Sequence, residues 1–221
     1  MIEYLRDPER LYQQNDALLR EQVTLDAFTE EQQPVVVQMV QAYGDPSLAA
    51  SICFSERAVV VARKAIKQRH NLLYDVDLVK HALNTDLLYQ EPFGFLGKAS
   101  VISNAKISKQ TRAMTAVDYW KPYMAGGIVL IGQSGTALFR LLEILKEGTP
   151  PPALIIAAAR GFVNAEAAKQ MLWNQHEELG VECIVVKGTR GGGVLAAAAL
   201  NRLLAMQLGI QNTDKPITQG W

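Results

Sequence analysis

The chain has 221 residues, 49% of them apolar and 20% charged, a composition that supports a folded core and excludes a disordered chain. Lys plus Arg and Asp plus Glu both number 22, so the formal charge is zero and the bulk basic footprint of a nucleic-acid-binding protein is absent. Cys53 and Cys183 make neither a disulfide framework nor a zinc pattern, the charged start MIEYLRDPERLYQQ is no signal peptide, and no apolar run reaches the length of a membrane span.

The expectation is a cytoplasmic protein with one α/β domain over 1–208 and a polar tail over 209–221. Residues 1–70 show no strand signal and read as three helices. Asp7 caps the first, with Pro8 at its first position. Thr29 and Gln32 match a capping box for the second, with Pro34 tolerated in its first turn. Ser55 opens the third, through RAVVVARKAIKQ, and GDP at 44–46 breaks the chain between the second and third. Five short apolar runs follow: NLLYD (71–75), KASVISN (98–104), GGIVLIG (126–132), PALIIAAA (152–159) and ECIVVKG (182–188). They are apolar on both faces and alternate with amphipathic stretches, which predicts a doubly wound, five-stranded parallel sheet with an added N-terminal helical segment. Residues 84–97 read as a long connection into the second strand. Their aromatic residues would cover a pocket, meet a partner subunit, or form a small hydrophobic foot.

In open α/β sheets ligands bind outside the carboxyl ends of the strands. Here those ends carry Asp75, Asn104, GQSGT (132–136, with Gln133), ARGFVN (159–164) and GTRGGG (188–193, with Gly191 and Gly192). Glycines there allow close backbone approach, and the helix N-termini that follow suit carboxylate or phosphate. GTRGGG lacks the Gly-Lys-Ser/Thr of a P-loop and the acidic partner of a dinucleotide fingerprint. Arg112, Arg160 and Arg190 lie in or beside such turns and suit a ligand with several carboxylates. Ser134 resembles a nucleophile elbow only superficially. His70, His81 and His176 read as structural, no cluster has metal-ligand spacing, and Asp75 or Asp77 reads as the cap of the following helix.

Seven blocks, in order, carry a resemblance: VQAYG (40–44), FSERAVVVARKAI (54–66), LLYDVDLVKHAL (72–83), TRAMTAVDYW (111–120), AGGIVLIGQSGTALFRLLEIL (125–145), RGFVNAEAAKQML (160–172) and KGTRGGGVLAAAALN (187–201). On these the chain resembles the precorrin-8X methylmutases of cobalamin biosynthesis. The resemblance implies a flavodoxin-like sheet, a homodimer with its site near the subunit interface, and no protein-bound cofactor or metal. It implies a corrinoid or related tetrapyrrole polycarboxylate as ligand, and a reaction that moves a methyl group from ring carbon 11 to ring carbon 12. In the family a histidine supplies acid catalysis, its pKa suiting it to protonate the macrocycle near neutral pH.

The sequence departs from the family pattern at several of these places. Gln41 stands where the family has its catalytic histidine, and Gln38, one helical turn earlier, where it has a substrate-contacting arginine. Asn15 replaces a substrate-contacting serine, and Asp16 the phenylalanine beside it. Ala159 and Arg160 replace proline and valine, and the family's G-R-x-G-G-S becomes GTRGGG over 188–193. A glutamine amide donates a hydrogen bond but has no proton to give near neutral pH. Two expectations follow. One is a divergent isomerase drawing its proton from Tyr43, Asp16 or His81. The other is a corrinoid- or tetrapyrrole-binding carrier or regulatory protein on the same scaffold.

Overall fold

The computed structural model describes residues 2–210, so the tail expected over 209–221 lies almost wholly outside the described residues. The strands are β1 (Ile52–Phe54), β2 (Leu72–Tyr74), β3 (Ile128–Ile131), β4 (Leu154–Ala157) and β5 (Glu182–Val186). The helices are α1 (Pro8–Gln22), α2 (Gln33–Tyr43), α3 (Ala58–Lys67), α4 (Asp77–His81), α5 (Ala99–Ile107), α6 (Arg112–Val117), α7 (Gly135–Lys146), α8 (Ala165–Gln175) and α9 (Gly193–Gln207).

The sheet order is β1-β5-β4-β3-β2, with β2 to β5 parallel and β1 antiparallel to β5. Side chains alternate between two cores, as the strand period of two requires. Leu72, Ile128, Leu154 and Ile184 face α2, α3 and α9, while Leu73, Val129, Ile155 and Cys183 face α5 to α8. Both faces are therefore covered, as the apolar runs implied.

Three expectations are corrected. The sheet has four parallel strands and one antiparallel edge strand, not five parallel strands. KASVISN is not a strand: Val101 and Ala105 are buried four residues apart, a helical spacing, and the segment forms most of α5. Asn104 accordingly lies in a helix, away from any strand end. The fifth strand is β1, inside the segment read as purely helical, and only three residues long. The parallel strands also follow one another across the sheet in chain order, so the order reversal of the flavodoxin arrangement is missing from the parallel part.

The helix signals fare unevenly. Asp7 caps α1, its carboxylate accepting from the Arg10 N–H at 2.9 Å. Only half of the Thr29–Gln32 box forms: the Thr29 N–H donates to Gln32 Oε1 at 3.1 Å, and α2 starts at Gln33. Gly44 ends α2 in the left-handed region, at φ 76°. Ser55 does not open α3, which begins at Ala58. Its hydroxyl instead donates to Glu182 Oε2 at 2.5 Å and accepts from the Cys183 N–H at 2.8 Å, tying the end of β1 to β5.

The 84–97 connection forms a foot on the chain's own sheet. Phe93 pairs with the edge of β2: its N–H donates to the Leu72 carbonyl at 2.7 Å, and it accepts from the Tyr74 N–H at 3.1 Å. Its ring stacks on Tyr123 at 5.1 Å. Gly94 follows because a Cβ there would lie 2.1 Å from the Tyr74 ring. Tyr89 donates to the His70 carbonyl at 2.5 Å, and burial pushes its phenol up to about 12.

Candidate ligand site at the carboxyl ends of the parallel strands

Four buried strands end at one side of the sheet, and their turns interlock. Gly132, after β3, abuts α9: a Cβ there would lie 2.6 Å from the Gly193 Cα. Gly135, at the start of α7, abuts the start of α8, where a Cβ would lie 2.7 Å from the Ala165 nitrogen. The turn after β5 is bonded to the end of β4: the Gly192 N–H donates to the Ala158 carbonyl at 2.7 Å, and the Gly161 N–H to the Thr189 carbonyl at 3.1 Å. Gly191 has φ 155° and no room for a side chain, since a Cβ would lie 2.1 Å from the Ala158 oxygen.

Asp75 braces the β3 turn. Its side chain, 1% exposed, accepts from the N–H groups of Gly132 and Gln133 at 2.9 Å and of Ser134 at 2.7 Å. Burial raises its carboxyl above the usual carboxylate range, and the three amide donors pull against that rise. The expectation that Asp75 or Asp77 caps α4 is thus corrected. Val76 precedes that helix, Asp77 is its first residue, and Asp75 works across strands. Ser134 is the side-chain cap of α7, accepting from the Ala137 N–H at 3.1 Å, and its hydroxyl also meets that of Thr136 at 3.0 Å. Helices α8 and α9 begin without a side-chain cap, and part of their first-turn N–H set is met by backbone: the Ala165 N–H donates to the Val163 carbonyl at 2.9 Å and the Leu195 N–H to the Gly192 carbonyl at 3.0 Å.

The structure brings most of the sequence-derived site residues to this end. Gln133, half-buried, lies in the β3 turn. Arg112, exposed, opens α6, whose cap Thr111 shares a hydrogen bond with Thr136 at 2.8 Å. Arg160, exposed, leaves the end of β4, followed by Phe162 and Val163, which are 95% and 80% exposed. Arg190, Gly191 and Gly192 form the β5 turn. Arg190 is already engaged: its Nη1 donates to Ser47 Oγ at 2.9 Å and lies 3.7 Å from Asp45 Oδ2. Hydrogen bonds from Ser47, with a smaller contribution from Arg190, hold the Asp45 carboxyl below its usual range. The glycine-rich turn is thereby bridged to the segment just after α2. Gln38 and Gln41 are half-buried on α2, three residues apart, on the face that Val36, Met39 and Val40 leave free when they enter the core.

Asn15 is not brought to the turns. It is exposed on α1, a helix that packs on α2 at the margin of the fold. Of the three alternative proton sources, Asp16 is paired with Arg20 at 2.8 Å, and His81 donates from Nδ1 to the carbonyl of Asp77 at 2.7 Å. Tyr43 is exposed at the last residue of α2. Lys169, on α8, escaped the sequence reading. It is 1% exposed, and its ammonium donates to the Arg190 carbonyl at 2.7 Å. Burial lowers its pKa to about 8, with Glu166 pulling the other way. Among the described residues no group of three or more His, Cys, Asp or Glu is placed to hold a metal ion, and no helix is long and apolar enough to cross a membrane.

Comparison with known proteins gives the chain's family. The family model for precorrin-8X methylmutase matches residues 10–206. The precorrin-8X methylmutase of Pseudomonas aeruginosa is 33% identical over 205 residues, covering 92% of this chain and 98% of its own. That of a Sinorhizobium species is 34% identical over 203 residues, covering 91% and 96%. The cobalt-precorrin-8 methylmutase of Methanocaldococcus jannaschii is 30% identical over 181 residues, 82% of each chain. The crystal structure of precorrin-8X methyl mutase from Thermus thermophilus superposes with a TM-score of 0.82 at 31% identity, covering 92% of this chain and 98% of that one. The chain therefore belongs to the precorrin-8X methylmutase family.

Proposed function

We propose that the chain binds a corrinoid polycarboxylate of the precorrin-8X type outside the carboxyl ends of β2 to β5, and that the methyl shift of its family lacks a histidine proton donor here. The observation that carries this reading is the convergence of three interlocked glycine turns and Arg112, Arg160 and Arg190 at one end of the sheet, beside Gln38 and Gln41. Guanidinium groups suit the carboxylates of such a ligand. The exposed Phe162 and Val163 suit the apolar face of its macrocycle. The reading includes a homodimer. Leu11 and Leu18, seven residues apart on α1, are both about half exposed, and Asn15 shares that helix. A second copy seated on α1 gives Asn15 a route to the partner's ligand.

Gln41 occupies the histidine position and offers an amide hydrogen bond without a transferable proton. Losing one general acid lowers a rate by about 10²–10⁴-fold, so binding outlasts catalysis. The test is the visible spectrum of purified protein mixed with precorrin-8X, followed over time for the natural chain and for Gln41→His. The expected result is an immediate, saturable shift in both, with product forming at least about 10²-fold faster in Gln41→His. Equal rates would mean that another acid serves, and absence of a saturable shift would remove the binding reading.

A second reading, a non-catalytic carrier or regulatory protein for the same ligand class, is favoured by one further feature. Gln38 and Gln41 are both neutral amides on one helix face, so the positions of a charge and of a proton donor changed together. Under that reading the natural chain gives a bound spectrum that stays constant, while Gln41→His turns over.

A further inference from the structure

We infer that Lys169 is a positioning residue: by holding the Arg190 carbonyl from beneath, it sets the spacing between the glycine turn after β5 and the end of α2. The inference rests on the proposed corrinoid site and assigns a residue that neither the turns nor the helix face supplies. Lys169 lies on α8 among Ala165, Ala168 and Leu172, all buried. Its ammonium donates to the Arg190 carbonyl at 2.7 Å and pairs with no carboxylate among the described residues. A buried charge is ordinarily paired, and one set against a lone carbonyl is costly. A methionine would fill the same space without that cost, so the interaction itself accounts for the residue.

The carbonyl it holds is the pivot of the turn. On one side Gly191 and Gly192 press against the end of β4, with the Gly192 N–H on the Ala158 carbonyl. On the other, the Arg190 guanidinium reaches Ser47 and Asp45. A continuous line thus runs from Lys169 through Arg190 to the segment that follows Gln41. Lys169 itself is buried, 1% exposed, and acts through Arg190. Its effect is on where the Gly191 and Gly192 backbone and the Arg190 side chain stand.

The test compares the natural chain, Lys169→Met, Ser47→Ala and the double variant. Amide hydrogen exchange is read over the whole chain and the Kd for precorrin-8X by absorbance titration. Lys169→Met is expected to weaken binding about tenfold and to speed exchange at 188–193 and 45–47 while the sheet stays protected. The double variant is expected to weaken binding by less than the product of the single effects, because both loosen one bridge. A merely structural lysine would give additive losses and general deprotection, and either overturns the inference. An unchanged Kd with unchanged exchange at the turn does the same. If the natural chain does not bind precorrin-8X, the proposed function fails, yet exchange confined to the two segments still decides the positioning role. If Lys169→Met does not fold, Lys169→Gln, whose shorter side chain keeps a donor but does not reach as far, decides it: faster exchange at 188–193 is expected, and unchanged exchange there overturns the inference.

Discussion

Asp75→Asn isolates the brace beneath the β3 turn. In the natural chain Asp75 Oδ1 accepts one backbone N–H, from Gly132, and Oδ2 accepts two, from Gln133 and Ser134. Asparagine has the same shape but one acceptor oxygen, so its amide nitrogen must face at least one of these donors. In the better orientation the Gly132 N–H loses its partner, at a cost of about 1–3 kcal/mol for an unsatisfied buried donor. The other two bonds pass from charge-assisted to neutral, losing about 1 kcal/mol each. Relief of the buried charge returns part of this, since burial already opposes ionisation of Asp75. The net expectation is about 3 kcal/mol, or roughly 6–12 °C in Tm for a chain of this size. Urea and thermal unfolding measure it, with Asp77→Asn as the exposed control, expected within about 1 kcal/mol. Asp75→Asn within about 0.5 kcal/mol of the natural chain, the range of ordinary surface substitutions, would refute the brace.

Three further outcomes follow from the same geometry. Lys169 has a pKa of about 8 in the fold against 10.5 when free, so between these values the unfolded chain binds more protons and stability rises with pH. The stability of the natural chain minus that of Lys169→Met should therefore grow from pH 8 to pH 10.5, read by melts across that range, and a flat difference would contradict the assignment. Gly132→Ala places a Cβ 2.5 Å from Val79 Cγ2 and 2.6 Å from the Gly193 Cα. Backbone cannot yield as a side chain can, so a loss of about 1–3 kcal/mol is expected on denaturation, against little change for Gly97→Ala, where space is open. Arg140→Ala breaks contacts to Asp118, Glu143 and Glu147 at 2.8–3.1 Å, yet these acids are exposed. The loss should be only about 1 kcal/mol and should shrink with added salt in the same assay.

The sequence made the parallel sheet legible because IVLI, LIIA and ECIVV are buried on both faces, and continuous apolar runs are what that burial requires. It misled at KASVISN, where three apolar residues in seven, Ala99, Val101 and Ile102, do not fix a period, and at β1, where three residues are too few to show any. The strand-end turns were found because glycine clusters mark close backbone approach. Gln38 and Gln41 were placed on one helix face by spacing alone. Asp75 was misassigned because its partners lie 57 to 59 residues away, and a local capping rule cannot see them. Lys169 did leave a signal. Ala165, Ala168, Lys169 and Leu172 occupy the i, i+3, i+4 and i+7 positions of one apolar stripe, and a lysine on that stripe is buried or paired.

The arrangement also bears on why binding and proton donation would separate in this chain. The residues proposed to hold carboxylates belong to turns fixed by the sheet and braced by Asp75 and Lys169, which hold the turns from beneath. Position 41 sits on a different element, the last turn of α2, joined to those turns by helix packing on α9 and by the Arg190 contacts to Ser47 and Asp45. A side-chain change at 41 therefore leaves every hydrogen bond of the turns in place. The half-buried Gln41 is close in volume to histidine, so the reverse change also needs no repacking of Val36, Met39 or Val40. Were catalysis lost by collapse of the turns, Gln41→His would recover nothing. Were it lost by removal of the proton alone, that single substitution would suffice, and the bracing by Asp75 and Lys169 would keep the rest of the site ready for it.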